Sequence, residues 1–289
     1  MRVAFILLLL VLTPEPLKAM MKKIQEATAY IQSIVSTQPR LGIVLGSGLG
    51  SFTNELNIEK EIPYSDIPHF PVSTVKGHNS KLIFGELSGK NVVVMAGRFH
   101  YYEGYDAQDV VFPIRVMRML GIEQLLLSNA AGGTNPDFKV GDLMIITDHI
   151  SQFHINPLIG KNIEELGTRF PDMSEAYSKA LVAKAKTIAG AAGYDIKTGV
   201  YIGVTGPTFE TRAEYKMVHI LGADAVGMST VQEVIAAVHM GLPVFAISVI
   251  TDLGIREEEN VITHEEVLQA AKEAEPKLTH IFKEMIAQL

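Results

Sequence analysis

Short runs of apolar residues, each ending in a cluster of small or polar residues, are the feature that most limits how this chain can fold. Leu242–Ile250 is such a run, and Thr-Asp-Leu-Gly follows it. Leu41–Leu45 and Glu123–Leu127 are two others, and segments with helical spacing lie between the runs. Strands that are apolar throughout are typical of a sheet covered by helices on both faces. The pattern predicts an α/β fold: a single domain with a mixed, largely parallel central sheet flanked by helices.

Two clusters at the predicted strand ends suit an anion, because open α/β sheets bind ligands at the carboxyl ends of their strands. Gly46–Gly50 has the sequence Gly-Ser-Gly-Leu-Gly and offers backbone amides and the Ser47 hydroxyl, although it matches neither the dinucleotide fingerprint nor the nucleotide P-loop. Arg98 and His100 lie two residues apart, so in an extended chain they point the same way and suit an oxyanion. A tight turn and a structural histidine are the alternatives.

Three other strand ends are ambiguous on local sequence alone. Ser128–Gly133 offers small residues and backbone amides, but it equally suits a plain turn. Phe209 beside Glu210 suits a planar heterocycle with an N–H donor, whereas a glutamate in the first turn of a helix also stabilises the helix dipole. Asp252 either faces a ligand or, as its local sequence favours, begins a turn.

The segment after the predicted strand at 224–226 supports two interpretations. Met228 can contact a flat apolar surface, and the Ser229 hydroxyl can bind phosphate. Thr230 and Glu233 have the spacing of a capping box, which predicts the start of a helix. The two interpretations are compatible, and the local sequence does not decide between them.

Composition and charge exclude several classes of protein. The 289 residues suffice for one large α/β domain, and no repeat or linker divides them. The net charge of −7 and the lack of any block of Lys or Arg argue against a nucleic-acid partner. The chain has no Cys, which excludes disulfides, thiolate metal sites and cysteine nucleophiles. A small anionic substrate is compatible with this charge if a few basic groups meet locally.

Residues 1–19 are kept apart from the fold. Val3–Leu12 is a run of ten apolar residues, too short to span a bilayer but of the length of a secretory signal core. The cleavage signal after it is poor, and Met20 or Met21 would be an ordinary start. We therefore expect residues 1–19 to be an over-long start or a signal-like segment, and residues 20–289 to form one domain. The protein is expected to be cytoplasmic without a membrane partner, with an exported form as the alternative.

Several of these segments together resemble, in order, the motifs of the trimeric purine nucleoside phosphorylases. The motifs are G-S-G-L-G, G-R-F-H-Y-Y-E-G-Y, S-N-A-A-G-G, G-P-T-F-E-T-R-A-E, G-A-D-A-V-G-M-S-T and H-E-E-V-L. The resemblance runs from about Lys22 to the C-terminus. It implies phosphorolysis of purine ribonucleosides and deoxyribonucleosides to the free base and the α-(deoxy)ribose 1-phosphate, in purine salvage. Inosine and guanosine are the main substrates that it implies.

The resemblance also implies a role for individual residues. Phosphate would be bound by Ser47, His78, Arg98, His100, Ser229 and the backbone at Ala130. The ribose would lie against Tyr102, Met228 and His264. The purine would be bound by Asn129, Phe209, Glu210 and Asp252. The expected catalytic residues are His100, Glu210 and Asp252. Inorganic phosphate is a co-substrate, so no metal or organic cofactor is expected, and the expected assembly is a homotrimer.

Two positions depart from the commonest pattern of the family. Asp252 stands where many relatives have an Asn that donates toward N7 or O6, and methylthioadenosine phosphorylases have Asp there. An anionic Asp252 would repel O6 and the charge developing on N7, so we expect it to be protonated or to act through water when a 6-oxopurine is bound. Leu166 stands where some members supply a Phe to the neighbouring subunit, which weakens the expectation of an aromatic lid.

Three hypotheses are open on the sequence. Strict cleavage of 6-oxopurine nucleosides is favoured by Glu210, because an ionised glutamate accepts from their N1–H. A broader specificity that includes adenosine or methylthioadenosine is favoured by Asp252. A nucleoside-binding protein without catalysis is compatible with the signal-like N-terminus, but the complete set of phosphate ligands argues against it.

Overall fold

Nine strands within the described residues form one mixed sheet. The computed structural model describes residues 15–72, 80–151, 155–254 and 262–289. The strands are β1 (Leu41–Val44), β2 (Asn57–Pro63), β3 (Lys81–Leu87), β4 (Lys90–Ala96), β5 (Gln124–Gly133), β6 (Leu143–Ile150), β7 (Ile196–Gly203), β8 (Ala225–Gly227) and β9 (Val244–Leu253). Their order is β2-β3-β4-β1-β5-β8-β7-β6-β9, and β5 also pairs with β9. The extra pairing closes the strands β5 to β9 into a ring, and the other four extend the sheet from it.

The parallel pairs bring the predicted clusters to one edge of the sheet. β1 pairs in parallel with both β4 and β5, and β5 pairs in parallel with β9. The carboxyl ends of these four strands therefore lie side by side. The α/β fold with a mixed central sheet is confirmed, and its topology places the segments that follow the apolar runs next to one another.

Helices cover both faces of the sheet. Within the described residues they are α1 (Glu15–Ile34), α2 (Ala107–Val110), α3 (Phe112–Leu120), α4 (Lys179–Ala191), α5 (Arg212–Ile220), α6 (Val231–His239) and α7 (His264–Ala287). One apolar core contains Ile24 of α1, Ile114 of α3 and Val234 of α6. A second core contains Leu181 of α4 and Phe282 of α7. None of the described helices is long and apolar enough to cross a membrane.

β5 shows why the predicted strands are apolar throughout. Leu125 and Leu127 belong to the first core, and Leu126 between them belongs to the second. All three side chains are fully buried, and each contributes about 1.5–3 kcal/mol by leaving water. Because successive side chains of a strand point to opposite faces, a strand with helices on both faces must be apolar at every position.

α1 begins earlier than the sequence predicts. It starts at Glu15 and so crosses the expected domain start at residue 20. Met20 and Met21 pack against the first core. The helix therefore runs without a break from Glu15 through Met20 and Met21 to Ile34. Residues 1–14 lie outside the described residues.

Two segments whose local sequence also suits a turn are strands. β5 continues through Ser128–Gly133, and β9 continues through Asp252. The two strands pair here, with Asn129 opposite Ser248 and Gly132 opposite Asp252, and the register shifts just before Gly132. Small residues favour turns locally, but each of these strands supplies hydrogen-bond partners to the other. Asp252 is therefore held in a sheet and not at the tip of a loop.

Candidate active site

A cavity of about 370 Å³ lies at the carboxyl edge of the sheet. The predicted site residues that line it are Ser47, Arg98, His100, Tyr102, Asn129, Ala130, Phe209, Glu210, Met228, Ser229, Asp252 and His264. The structure thus brings together all the predicted site residues that it describes. His78, a predicted phosphate ligand, lies outside the described residues.

Arg98 is fixed at one end of the cavity by a buried ion pair. Only 1% of the residue is exposed, and its Nε donates to Glu233 Oε1 at 3.1 Å. Its Nη1 donates to the carbonyl oxygen of Ser128 at 2.6 Å and lies 3.4 Å from Ser229 Oγ. Removing one partner of a buried ion pair costs about 3–5 kcal/mol. The guanidinium is therefore held in one orientation beside the Ser229 hydroxyl.

The predicted capping box at α6 is wrong. Among the described residues, the Thr230 hydroxyl makes no capping bond to the helix, and it accepts instead from Asn129 Nδ2 at 2.8 Å. Glu233 is 2% exposed and accepts from Arg98. A buried guanidinium competes for Glu233 more strongly than a backbone amide, because leaving that charge unpaired costs more. The first turn of α6 thus supports the cavity.

His100 is held by a carboxylate beside the arginine. Its backbone N–H donates to Glu103 Oε1 at 2.8 Å, and its Nδ1 lies 3.2 Å from the same oxygen. Burial lowers the pKa of His100, and the hydrogen bond with Glu103 opposes that shift. The imidazole is therefore mostly neutral at pH 7, and among the described residues Arg98 supplies the positive charge at this end of the cavity.

Gly46 lets the end of β1 approach β5 closely. A Cβ atom on Gly46 would lie 2.7 Å from Asn129 Cα, so a side chain cannot be placed there without moving the strand. The Gly46 N–H donates to Ser128 Oγ at 3.2 Å. Ser47, the next residue, reaches the cavity. The glycine at this position therefore positions Ser47 near Arg98.

The middle of the cavity is lined by Tyr102, Met228 and His264. The Tyr102 ring stacks on the His100 ring, with centroids 4.7 Å apart. Burial raises the pKa of Tyr102 to about 12, so its hydroxyl is protonated at neutral pH. His264 is the first residue of α7. An aromatic ring, a thioether and an imidazole give this part of the cavity a mixed apolar and polar wall.

The other end of the cavity carries an aromatic ring and two carboxyl groups. Phe209 is 39% exposed. Burial raises the pKa of Glu210, and hydrogen bonds from its own backbone and from Tyr215 oppose that shift. Asp252 is 7% exposed, and its Oδ1 accepts from the Thr251 hydroxyl at 3.1 Å. A planar heterocycle that offers and accepts hydrogen bonds along one edge fits these groups.

Tyr215 lines the cavity although the sequence gives little indication of it. It lies in α5, and its hydroxyl donates to Asp252 Oδ2 at 2.9 Å. The only sequence signal is its place five residues after Glu210, at the end of a motif. That signal does not show that the side chain turns back toward β9, 37 residues later in the chain.

Leu166 takes no part in this cavity. It is 6% exposed and belongs to the first core of its own chain. It lines a different cavity, beside Arg115 and His239. The weaker expectation of an aromatic lid from a neighbouring subunit stays a prediction.

The chemistry of the cavity is asymmetric. One end offers a guanidinium, an imidazole and two hydroxyl groups, which suit a small oxyanion. The other end offers two carboxyl groups and a phenyl ring, which suit a heterocyclic base. The cavity volume of about 370 Å³ lies in the range of small-molecule sites, and its two ends suit an oxyanion and a base side by side.

Comparisons with known proteins agree with this arrangement. The model of the phosphorylase superfamily matches residues 40–287. The chain is 49% identical to purine nucleoside phosphorylase 1 of Geobacillus stearothermophilus, over 92% of this chain and 97% of that protein. It is 46% identical to the purine nucleoside phosphorylase of Bos taurus, over 92% of this chain and 94% of that protein.

A solved structure has the same fold over nearly the whole chain. The crystal structure of Schistosoma mansoni purine nucleoside phosphorylase in complex with adenosine superposes with a TM-score of 0.88 and 42% identity, over 93% of this chain and 97% of that one. The fold, the cavity and these relatives all agree. The chain belongs to the phosphorylase superfamily and, within it, to the purine nucleoside phosphorylases.

Proposed function

We propose that this protein cleaves inosine and guanosine, and their deoxy analogues, with inorganic phosphate to the purine base and the α-pentose 1-phosphate. The observation that carries the proposal is the asymmetric cavity, which offers oxyanion ligands at one end and base-reading carboxyl groups at the other. Relatives at 46–49% identity are named purine nucleoside phosphorylases, which supports this reaction class. Phosphate is the second substrate, and the proposed reaction needs no metal or organic cofactor.

Phosphate would bind beside Arg98. Its oxygens would accept from the guanidinium, from the hydroxyls of Ser47 and Ser229, and from the backbone at Ala130, and His100 would lie against it. The resemblance adds His78 to this set. Because Glu233 holds the guanidinium in place before phosphate arrives, little reorganisation is needed on binding. The anion would then lie beneath C1′ of a ribose that rests on Met228 and Tyr102, with the 5′-hydroxyl at His264.

Cleavage then depends on how charge develops. As the glycosidic bond lengthens, the ribose gains positive charge, and the phosphate dianion below it stabilises that charge. The purine gains negative charge, which a hydrogen bond to N7 or O6 stabilises. The protein contributes by holding the two substrates in line and by solvating both charges. Ser47 and Ser229 therefore bind phosphate and do not act as nucleophiles.

The base would be recognised by Phe209, Asn129 and the two carboxyl groups. Phe209 would pack on the purine, and Asn129 lies in the same wall. An ionised Glu210 would accept from N1–H of a 6-oxopurine. Asp252, in its protonated form or through water, would donate toward O6 and N7 as the base leaves. This arrangement requires the two carboxyl groups to differ in protonation, which their neighbours can enforce.

A broader specificity is the second candidate function. Asp252 stands where an ionised carboxylate could accept from the 6-amino group of adenosine. A related protein, 42% identical to this chain, has been solved with adenosine bound. We therefore propose adenosine as a further substrate, secondary to inosine and guanosine.

The proposed assembly is a homotrimer. Three apolar side chains in the connection between β6 and α4 are exposed in the single chain: Ile155 by 45%, Ile159 by 65% and Phe170 by 84%. Exposed apolar groups of this kind are typical of surfaces covered by another subunit. Light scattering is expected to give the mass of three chains, and Phe170→Glu is expected to shift it toward the mass of one. A wild-type mass of one chain would contradict the proposal.

Release of hypoxanthine from inosine is expected to depend on phosphate. The purified protein should release base with inorganic phosphate and form ribose 1-phosphate in equal amount. Without phosphate, release should fall to the background rate. Equal release with and without phosphate would identify a hydrolase, and binding of inosine without release would identify a nucleoside-binding protein.

Ser229→Ala is expected to raise the KM for phosphate about tenfold, because a hydrogen bond to a charged group contributes about 1.5 kcal/mol or more. The KM for inosine should change by less than about threefold, since Ser229 lies at the anion end. Ser33→Ala, which removes an exposed hydroxyl of α1, serves as the control. An unchanged KM for phosphate would remove Ser229 from the phosphate site.

Asp252→Asn is expected to raise the kcat/KM for inosine and guanosine about tenfold relative to adenosine, because the amide donates to O6 and N7 without a proton from solution. Steady-state kinetics with the three nucleosides measures this ratio. Asp195→Asn, which removes an exposed carboxylate paired with Lys197, serves as the control. If the ratio stays the same, Asp252 does not read the base.

A further inference from the structure

A second cavity, of about 360 Å³, lies between α3, the end of α6 and the connection from β6 to α4. None of the residues assigned to the nucleoside or to phosphate lines it. Arg115 of α3, His239 of α6 and Lys161 of the connection do. Within the described part of the chain, no acidic residue lines this cavity. The charge that it presents to a ligand is therefore positive.

Arg115 is buried in the wall of this cavity without a partner. The residue is 4% exposed, and its neighbours Ile114 and Val116 are fully buried. Its Nη1 atom is buried and has no hydrogen-bond partner among the described residues. Burial lowers the pKa of Arg115 to about 10, and no described carboxylate opposes that shift, so the guanidinium is charged at neutral pH. Because arginine is almost never fully buried unless it is paired, this group lacks an anion.

Arg98, the other buried arginine of the described residues, shows what is missing. Its guanidinium donates to Glu233 Oε1 and to the carbonyl oxygen of Ser128. Arg115 is buried to a similar degree without such acceptors. An uncompensated buried charge destabilises a folded protein. The cavity beside Arg115 is the place where an acceptor from outside the chain can reach it.

The other buried polar side chains of the cavity already have partners. Gln108 Nε2 donates to a backbone carbonyl oxygen of the connection at 3.2 Å, and Asn162 Nδ2 donates to another at 2.9 Å. Asn162 Oδ1 accepts from His239 Nε2 at 3.3 Å. Burial and the charge of Arg115 lower the pKa of His239, so its imidazole is mostly neutral. The hydrogen-bond donors that this wall offers to a ligand are therefore mainly those of Arg115.

This arrangement favours a carboxylate with an apolar body. One guanidinium binds one carboxylate through two parallel N–H···O bonds, and the two single charges match. A phosphate dianion would need further donors, such as the hydroxyl groups that accompany Arg98. Ile163 and Leu166, which are 9% and 6% exposed, give the cavity an apolar wall. Lys161 is exposed and adds positive charge at the mouth.

We propose that this cavity binds a small monocarboxylate with an apolar body, whose carboxylate pairs with Arg115. The inference does not depend on the proposed phosphorolysis. Ile159 lines the cavity and is 65% exposed, so the mouth lies at the surface proposed for the trimer. A carboxylate side chain of a second copy is therefore the alternative occupant. The volume of the cavity favours the free molecule, because it lies in the range of small-molecule sites.

Benzoate is a probe with this chemistry, and titration calorimetry measures its binding to the full chain. We expect wild-type protein to bind sodium benzoate and not benzamide, its uncharged analogue. Arg115→Met should weaken benzoate binding about tenfold or more, because a hydrogen bond between charged groups contributes about 1.5 kcal/mol or more. Arg118→Met is the matched control, since it removes an exposed guanidinium from the same helix. Its affinity for benzoate should stay within about twofold of the wild-type affinity.

Thermal unfolding gives a second measurement. In chloride buffer, Arg115→Met should unfold at a higher temperature than the wild type, because it no longer buries an unpaired charge. Replacing chloride with benzoate at equal ionic strength should raise the Tm of the wild type and leave that of Arg115→Met unchanged. A lower Tm for Arg115→Met in chloride would show that a group of the protein already pairs with Arg115, and would overturn the proposal.

Arg115→Lys decides the question if Arg115→Met does not fold. It keeps the positive charge and loses the planar fork of donors, so it should also weaken benzoate binding. Unchanged benzoate affinity in the variant that folds would overturn the proposal. Weaker binding of inorganic phosphate in the variant, with benzoate unaffected, would overturn it as well.

A crystal soaked with para-bromobenzoate locates the ligand. The bromine signal is expected in this cavity, with the carboxylate at Arg115. A signal found only in the first cavity would overturn the proposal. Light scattering should give the same mass for Arg115→Met as for the wild type. A smaller mass would assign Arg115 to a contact between copies of the chain and would overturn the site for a free carboxylate.

Discussion

The anion end of the cavity depends on the buried ion pair between Arg98 and Glu233. Arg98 follows β4, Glu233 lies in α6, and the guanidinium also donates to Ser128 in β5. One side chain thus ties three elements together at the point where phosphate would bind. Because an unpaired charge in this environment would be costly, the position of the guanidinium is set by the packing of the whole sheet against α6. The folded protein therefore holds this group ready before substrate arrives.

The sequence predicts the fold class well because that class depends on a local pattern. A strand such as β5 must be apolar at every position when both faces are covered, and Leu125–Leu127 show that requirement directly. The location of the site can be predicted as well, because parallel strands bring their carboxyl ends to the same edge of the sheet. Arg98, Ser229 and Asp252 each follow or end an apolar run, so their proximity could be expected before the roles of any were known.

The structure departs from local sequence preference where distant residues compete with it. Ser128–Gly133 and Asp252 have turn composition, but β5 and β9 pair with each other across more than a hundred residues of chain. Glu233 has the spacing of a capping residue, but Arg98, 135 residues earlier, takes its carboxylate. The sequence signal for Tyr215 is weak because its hydrogen-bond partner, Asp252, lies on another element. Periodicity carries no information about such pairs, and only the assembled sheet reveals them.

The placement of Asp252 within a closed ring of strands has a consequence for how preference among bases can change. A carboxyl group on a loop could swing aside to suit a new ligand, whereas one in a paired strand opposite Gly132 has little freedom to move. The hydrogen-bond donors and acceptors that this edge of the cavity presents can then change while its shape stays the same, through the protonation state of Asp252. Selection acting on such a protein could trade one nucleoside for another through single substitutions that leave the backbone untouched.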